Sequence, residues 1–269
     1  MNNIVGVGGV VGVVIISVIS AFFVGGIIMG LFASSPDQVN KVYLYISFFF
    51  GQGIIILPPI YYLNIKKKPI LNAFRINSIS INTLKYSVVF SLGVLIIFDT
   101  LDRIIHRLVT TPDYIIDLGQ VMQPDSTAGY IFLFLAVVIM APIGEEIVFR
   151  GFLQKFLEQH WKDITRAVLV TSLLFAMIHF NPFWTIQIYM LGIILGFLSW
   201  KTQSIIPSII LHSMNNGAAF VLTIFEESDL GIYLYNENVS PFFICLGAYF
   251  IYKGLEEINL IIQGKKISK

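Results

Sequence analysis

The stretch Pro142-Ile-Gly-Glu-Glu-Ile-Val-Phe-Arg-Gly151 decides how this chain is read. It sets two adjacent carboxylates, Glu145 and Glu146, and a guanidinium, Arg150, into a hydrophobic run that begins near Tyr130. A charged side chain at membrane depth costs about 2.5–3.5 kcal/mol on insertion scales, so three so close together need a physical reason. On a helix Glu146 and Arg150 are i,i+4 neighbours in the favourable acid-before-base order. Glu145 is rotated by about 100° from Glu146 and faces a different neighbour. The spacing therefore divides the labour: Arg150 holds Glu146, and Glu145 is left for a cavity. The alternative is an interfacial cluster that ends a membrane helix on its water side.

The surrounding composition says which solvent the stretch sits in. The 269 residues are 56% hydrophobic and 12% charged, where a soluble domain carries about a quarter charged residues. That balance predicts a membrane protein. A formal net charge of +1 provides no clustered basic face for nucleic acid. The single cysteine, Cys245, allows neither an intrachain disulfide nor a paired-cysteine metal knuckle. In its apolar run it is read as a small packing residue.

About 20 apolar residues cross a bilayer. Runs of that kind lie near 4–32, 42–63, 84–105, 129–155, 164–181, 183–200, 203–225 and 236–253. They predict an all-α, polytopic membrane bundle of about eight transmembrane helices. With no internal repeat and no linker, residues 1–269 are expected to form a single integral-membrane domain. The run 4–32 is too long for a signal-peptide core and no Lys or Arg precedes it, so it is read as a retained first span. The third run ends in Asp99, Asp102 and Arg103, and the eighth opens on Asn236, Glu237 and Asn238.

Basic residues crowd alternate connections. Lys66, Lys67, Lys68 and Arg75 follow the second run, and Arg150, Lys155, Lys162 and Arg166 surround the fourth connection. Lys201 follows the sixth run, and Lys253, Lys265, Lys266 and Lys269 lie in the tail. The loops between are neutral or acidic, with Asp113, Asp117 and Asp125 in one and Glu226, Glu227 and Asp229 in another; Lys41, Arg103 and Arg107 depart from the pattern. The positive-inside rule then predicts a multi-pass protein with both termini in the cytoplasm. Composition and the lack of a targeting signal suit a bacterial plasma membrane.

Smaller features refine this picture. Gly8/Gly12, Gly26/Gly30 and Gly192/Gly196 have the spacing of close helix contacts, although membrane helices are glycine-rich in any case. Pro58-Pro59 is expected to kink or end the second span. Residues 101–128, with His106 and Arg107, read as an amphipathic interfacial segment, and His106 is given no catalytic role. The triplet Asn238-Val-Ser240 matches a glycosylation sequon, carries no weight by itself, and is followed by Pro241.

The remaining histidines supply the chemistry. His160 lies at an expected interface, whereas His179 closes Phe175-Ala-Met-Ile-His179 and His212 opens His212-Ser-Met-Asn-Asn216, both in apolar runs. One histidine in a membrane helix is commonly a helix–helix hydrogen-bonding group. Two of them, with a carboxylate pair on a third helix, make a shared site the stronger reading. His212 and Asn216 share a helix face; Asn215 is rotated off it. Phe175 shares a face with His179 and is placed as a pocket wall or a core aromatic. A carboxylate and an imidazole together activate a water, while a second imidazole and an amide stabilise an oxyanion. This set is suited to hydrolysing a peptide bond without a covalent intermediate. Two histidines and a glutamate are also the ligand set of a catalytic zinc site, although no HExxH element is present. Zinc stays open at this point.

Glu145-Glu146-xxx-Arg150, Phe175-xxx-His179 and His212-xxx-Asn216, in this order on successive hydrophobic segments, resemble the three motifs of the CPBP family. This family, also called Abi, includes type II CAAX prenyl endopeptidases and bacteriocin-processing or self-immunity proteins. The resemblance covers about 142–218 and places a motif-bearing protease core at about 128–225. It implies an intramembrane endopeptidase with a water-filled cavity within the bilayer. Glu145 would activate water with His179, His212 and Asn216 would stabilise the oxyanion, and Glu146 and Arg150 would support the site. It also implies a glutamate-type mechanism that requires no cofactor. The expected partners are membrane lipid and a membrane-associated peptide or protein, such as a prenylated tail, a peptide pheromone or a bacteriocin leader. The competing readings are a non-catalytic scaffold or self-immunity protein acting by partner binding, and a transporter. The transporter lacks the expected repeat and broken helices. For Glu145 to reach His179, the fourth helix must continue towards Glu158 or the fifth must start deeper.

Overall fold

The computed structural model describes residues 6–32, 41–222 and 231–267. The start of the first expected span, the end of the seventh, the acids Glu226, Glu227 and Asp229, and Lys269 lie outside them. The described chain is an all-α membrane bundle, with one two-residue antiparallel pairing of Leu234–Tyr235 with Asn238–Val239 among the described residues. Among the described residues three helices are long and apolar enough to cross a membrane: Val7–Phe32, Lys41–Ile65 and Thr127–Trp161. Ile164–Met177 is a shorter apolar helix.

Each expected span falls on a helix, with ends set by local chemistry. The second is interrupted at Ile55 and Ile56 and restarts at Leu57 with proline in its first turn, as Pro58-Pro59 requires, since proline lacks an N–H and suits a helix start. The third, Ile81–Leu108, begins on a Ser80 side chain that accepts from the Thr83 N–H. It runs through Asp99, Asp102 and Arg103, as expected, and on to Leu108, a little past the expected end, and Asp113–Met122 follows as a separate helix. The fourth continues to Trp161, where Lys162 adopts a left-handed conformation (φ 55°). The fifth stops at Met177, short of the expected end, with Phe180 left-handed (φ 49°) and Pro182 beyond it. His179 therefore sits in the turn after this helix rather than inside a span. The sixth is Thr185–Thr202 and the seventh begins at Ile206, after left-handed Gln203. The eighth begins at Pro241 and runs to Ile267, because Asn236 and Glu237 both take positive φ in the turn of the small hairpin; two central residues with φ > 0 are the geometry of a tight two-residue hairpin.

By internal contacts the chain divides into two compact units. The first comprises Met1–Ser78 and Pro124–Ile209, the second Ile79–Gln123 and Ile210–Lys269. In the first unit Thr127–Trp161 is the central element, half buried over its apolar window. Its residues Val148, Phe149, Leu153 and Leu157 pack with Val10 and Val14 of the first helix, Phe74, and Phe175. In the second unit Ile81–Leu108 packs along Pro241–Ile267, burying Phe90, Val94 and Ile258. There Tyr233 donates to Asp99 at 2.8 Å; burial, then the bond to Asp99, pushes its phenol above the usual tyrosine value. Cys245 is exposed on its helix, not packed inside as the sequence suggested.

The glycine pairs behave differently from one another. A Cβ at Gly8, Gly12, Gly26 or Gly30 would touch nothing, whereas one at Gly196 would lie 2.7 Å from Gln154 Oε1. Only the last pair, Gly192/Gly196, is a close helix contact among these three.

Candidate active site

The motif helix Thr127–Trp161 is not a uniform α-helix. It carries π-helical stretches at Leu135–Met140 and Ile147–Gln154, separated by the α-helical turn Ala141–Glu146. Such widened turns change which side chains share a face and are frequent at functional sites. Glu145 and Glu146 end the α-helical turn, and Arg150 lies in the second widened stretch.

All three charges are buried: Glu145 is 6% exposed, and Glu146 and Arg150 are 0% exposed. That geometry is not the water-side cap weighed as an alternative. Arg150 Nη1 donates to Glu146 Oε1 at 2.7 Å, and Nη2 donates to the Gly192 carbonyl at 3.1 Å. The guanidinium also lies 4.2 Å over the centroid of the Phe175 ring. One turn further, Gln154 Nε2 donates to the Gly196 carbonyl at 2.9 Å and to Glu158 Oε1 at 2.8 Å. Glu158 pairs with buried Arg75. Glu146, Arg150, Gln154 and Glu158 thus form a polar row at four-residue intervals. The bare backbone at Gly192 and Gly196 lets two of its members reach main-chain acceptors. These main-chain acceptors meet part of the hydrogen-bonding capacity of the buried groups, which offsets some of the cost of taking the ion pair out of water.

Glu145 points elsewhere, as its rotation off the Glu146 face requires. Its Oε2 lies 4.0 Å from His179 Nε2. His179 Nδ1 is 2.7 Å from the Phe175 carbonyl. Because that oxygen only accepts, Nδ1 carries the proton, and in the neutral ring Nε2 is the basic nitrogen that faces Glu145. The Phe175 ring packs edge-on against the imidazole at 4.8 Å. Phe175 thus buttresses His179 and Arg150 from behind and is absent from the cavity lining, so it is not the pocket wall suggested above.

Glu145 and His179 open onto one cavity of about 440 Å³. Its walls are mostly apolar, including Val18, Phe22, Met29, Phe48, Ile55 and Ile178. The volume lies within the range of small-ligand pockets, about 300–1,000 Å³, and the pairing of an apolar wall with a few convergent polar groups is their usual make-up.

His212 and Asn216 belong to the second unit, on the helix Ile206–Leu222. His212 is buried, and Asn215 Nδ2 reaches Asn216 Oδ1 at 3.5 Å. The other two histidines do unrelated work. His106 Nδ1 bonds Thr111 Oγ1 at 2.8 Å, and His160 stacks on Phe156. No three His, Cys, Asp or Glu side chains among the described residues come together as a metal-ligand group. Glu145 and His179 supply two donors where a catalytic zinc takes three protein ligands. Within the first unit this pair is one ligand short of a catalytic zinc set, and no step below is routed through zinc.

Two polar residues of this region were not singled out from the sequence. Gln154 was detectable as the third member of a polar row at 146, 150, 154 and 158. Gln52, a carboxamide in an otherwise apolar span, lines the cavity; its signal was only its isolation.

Residues 127–218 match the family model described as type II CAAX prenyl endopeptidase, Rce1-like. The resemblance read from the three motifs is borne out over that segment, and the matched family is one of proteases. The chain is 26% identical over 133 residues to UPF0177 protein YbdI of Lactococcus lactis subsp. lactis, covering 46% of this chain and 70% of that protein. No solved structure matches the chain.

Proposed function

We propose that this protein is an intramembrane endopeptidase that hydrolyses a peptide bond in a membrane-associated peptide by glutamate-activated water. The observation that carries the reading is the 4.0 Å approach of Glu145 Oε2 to His179 Nε2 at an apolar cavity, in a segment that matches a protease family. Both atoms are acceptors in the neutral-imidazole state. A water about 2.8 Å from each is at hydrogen-bond distance, and the two acceptors then subtend roughly 90° at its oxygen, near the angle between its own two protons. Such a water has both protons engaged and a lone pair free for a carbonyl carbon.

Glu145 takes one proton as the water attacks, and His179 accepts or relays it towards the leaving amine. His212 and Asn216, one turn apart on a single helix face, are assigned to the oxyanion, where charge develops only after attack. Glu146 and Arg150 hold the motif helix in place and do not touch substrate. The reading requires no cofactor. A bacterial plasma membrane with both termini cytoplasmic is the proposed setting, supported by the lactococcal relative and the alternation of basic loops. A leader-type or other membrane-associated peptide is the proposed substrate class, with a prenylated tail as the related case.

The test is a comparison of peptide termini in membranes of a bacterial host that expresses wild type or Glu145→Ala at equal levels. New termini are expected with wild type and absent with the variant. Identical sets of termini in the two membranes would sink the assignment.

A further inference from the structure

We infer that Gln52 is a substrate-binding residue, whose side-chain carboxamide holds a main-chain peptide unit of the substrate within the cavity that Glu145 and His179 face. The inference rests on the peptidase reading above. Four polar side chains line this cavity: Ser47, Gln52, Glu145 and His179. Ser47 is committed to the Leu44 carbonyl at 2.7 Å, and His179 is tied through Nδ1 to Phe175. Gln52 Oε1, by contrast, is buried with no hydrogen-bond partner among the described residues. A buried amide oxygen left that way is a cost to the fold, and native structures keep few such groups without a reason.

The main chain around Gln52 is held tightly while its side chain is not. A Cβ at Gly51 would sit 2.9 Å from the Ala21 carbonyl oxygen, and a Cβ at Gly144 would sit 2.7 Å from the Gln52 carbonyl oxygen. Gln52 is therefore fixed between the first helix and the residue that precedes Glu145. An anchored backbone with an uncommitted amide is what a preorganised binding group needs.

The chemistry of the ligand follows from the rest of the lining. An extended peptide that enters an apolar cavity brings N–H and C=O groups that lose their water and must find partners. A glutamine amide can donate to one carbonyl and accept from one N–H. It can thus satisfy a substrate main chain whatever its side chains, which suits an enzyme whose pocket is otherwise apolar.

The experiment uses an internally quenched, farnesylated octapeptide in lipid nanodiscs with the full-length protein. Binding is measured in the Glu145→Gln background and cleavage in both the wild-type and the Glu145→Gln backgrounds, each with and without Gln52→Leu. Gln52→Met is the second variant, and thermal melting is recorded for all. The inference predicts that both Gln52 variants melt at or above the temperature of their parent, since they remove a group without a partner. They should nevertheless bind the peptide at least tenfold more weakly and raise KM by a similar factor with kcat little changed. Unchanged binding would overturn it, and so would weakened binding that tracks a lowered melting temperature, which is the result of a merely structural role. Full cleavage by Glu145→Gln, with Gln52 variants still binding weakly, would instead defeat the assignment of Glu145 and leave Gln52 as a peptide contact.

Discussion

Arg150 and Glu145 lie five residues apart on one helix and are built for opposite purposes. Arg150 is wholly enclosed by Glu146, the Gly192 carbonyl and the Phe175 ring. Removing one partner of a buried pair strands the other charge, at a cost of about 3–5 kcal/mol. Arg150→Met is therefore expected to lower the melting temperature sharply and to lose cleavage through misfolding. Glu145→Gln, which keeps the shape of a group facing a cavity, should melt like wild type. Equal melting temperatures for Arg150→Met and wild type would contradict the supporting role given to Arg150. The division between these side chains was legible in the sequence, because i,i+4 pairing and the 100° rotation of the next residue follow from helix geometry alone. Gln52 was not legible. Its meaning depends on which helix it meets and on the lack of a partner, and neither is written in its own span.

Elements carry the second scale. The expected spans fell on helices because hydropathy reports burial in lipid directly, but some of their ends were set by left-handed residues such as Lys162 and Gln203 that carry no glycine signal. The π-helical stretches on either side of the Ala141–Glu146 turn were likewise not legible, since the hydrophobic run gives no sign of where its turns widen. At Gly144, where the motif helix meets Lys41–Ile65, the contact is backbone to backbone: an added methyl would meet the Gln52 carbonyl oxygen and the Ile55 side chain at 2.7 and 2.8 Å. Overpacking of this kind costs roughly 1–3 kcal/mol. Gly144→Ala should lower the melting temperature and reduce cleavage by displacing Glu145, and Gly12→Ala, which meets nothing and lies outside the cavity lining, serves as its control. If the two variants melt alike, the close approach at Gly144 is not what positions the carboxylate.

At the scale of the molecule, the proposed reaction draws on all three motifs. Glu145 and His179 lie in the first unit, and His212 and Asn216 in the second. Loss of one oxyanion donor costs about 10²–10³ in kcat in well-characterised hydrolases. His212→Ala and Asn216→Ala are expected to fall in that range with KM and melting temperature little altered, as is usual for an interaction made only in the transition state. Wild-type kcat in both would remove them from the mechanism and leave Glu145 and His179 acting alone. The sequence offers this reading through the ordered trio of motifs, each with a one-turn spacing on its own hydrophobic segment.

The central claim, that a membrane-embedded glutamate activates water for peptide hydrolysis, is tested most directly by the rate of peptide cleavage by purified, reconstituted protein. Wild type and Glu145→Gln are compared with and without a metal chelator. The account predicts chelator-resistant cleavage by wild type and a loss of about 10²–10⁴ in kcat for Glu145→Gln, the usual contribution of a positioned acid–base group. Cleavage by Glu145→Gln at the wild-type rate would contradict it.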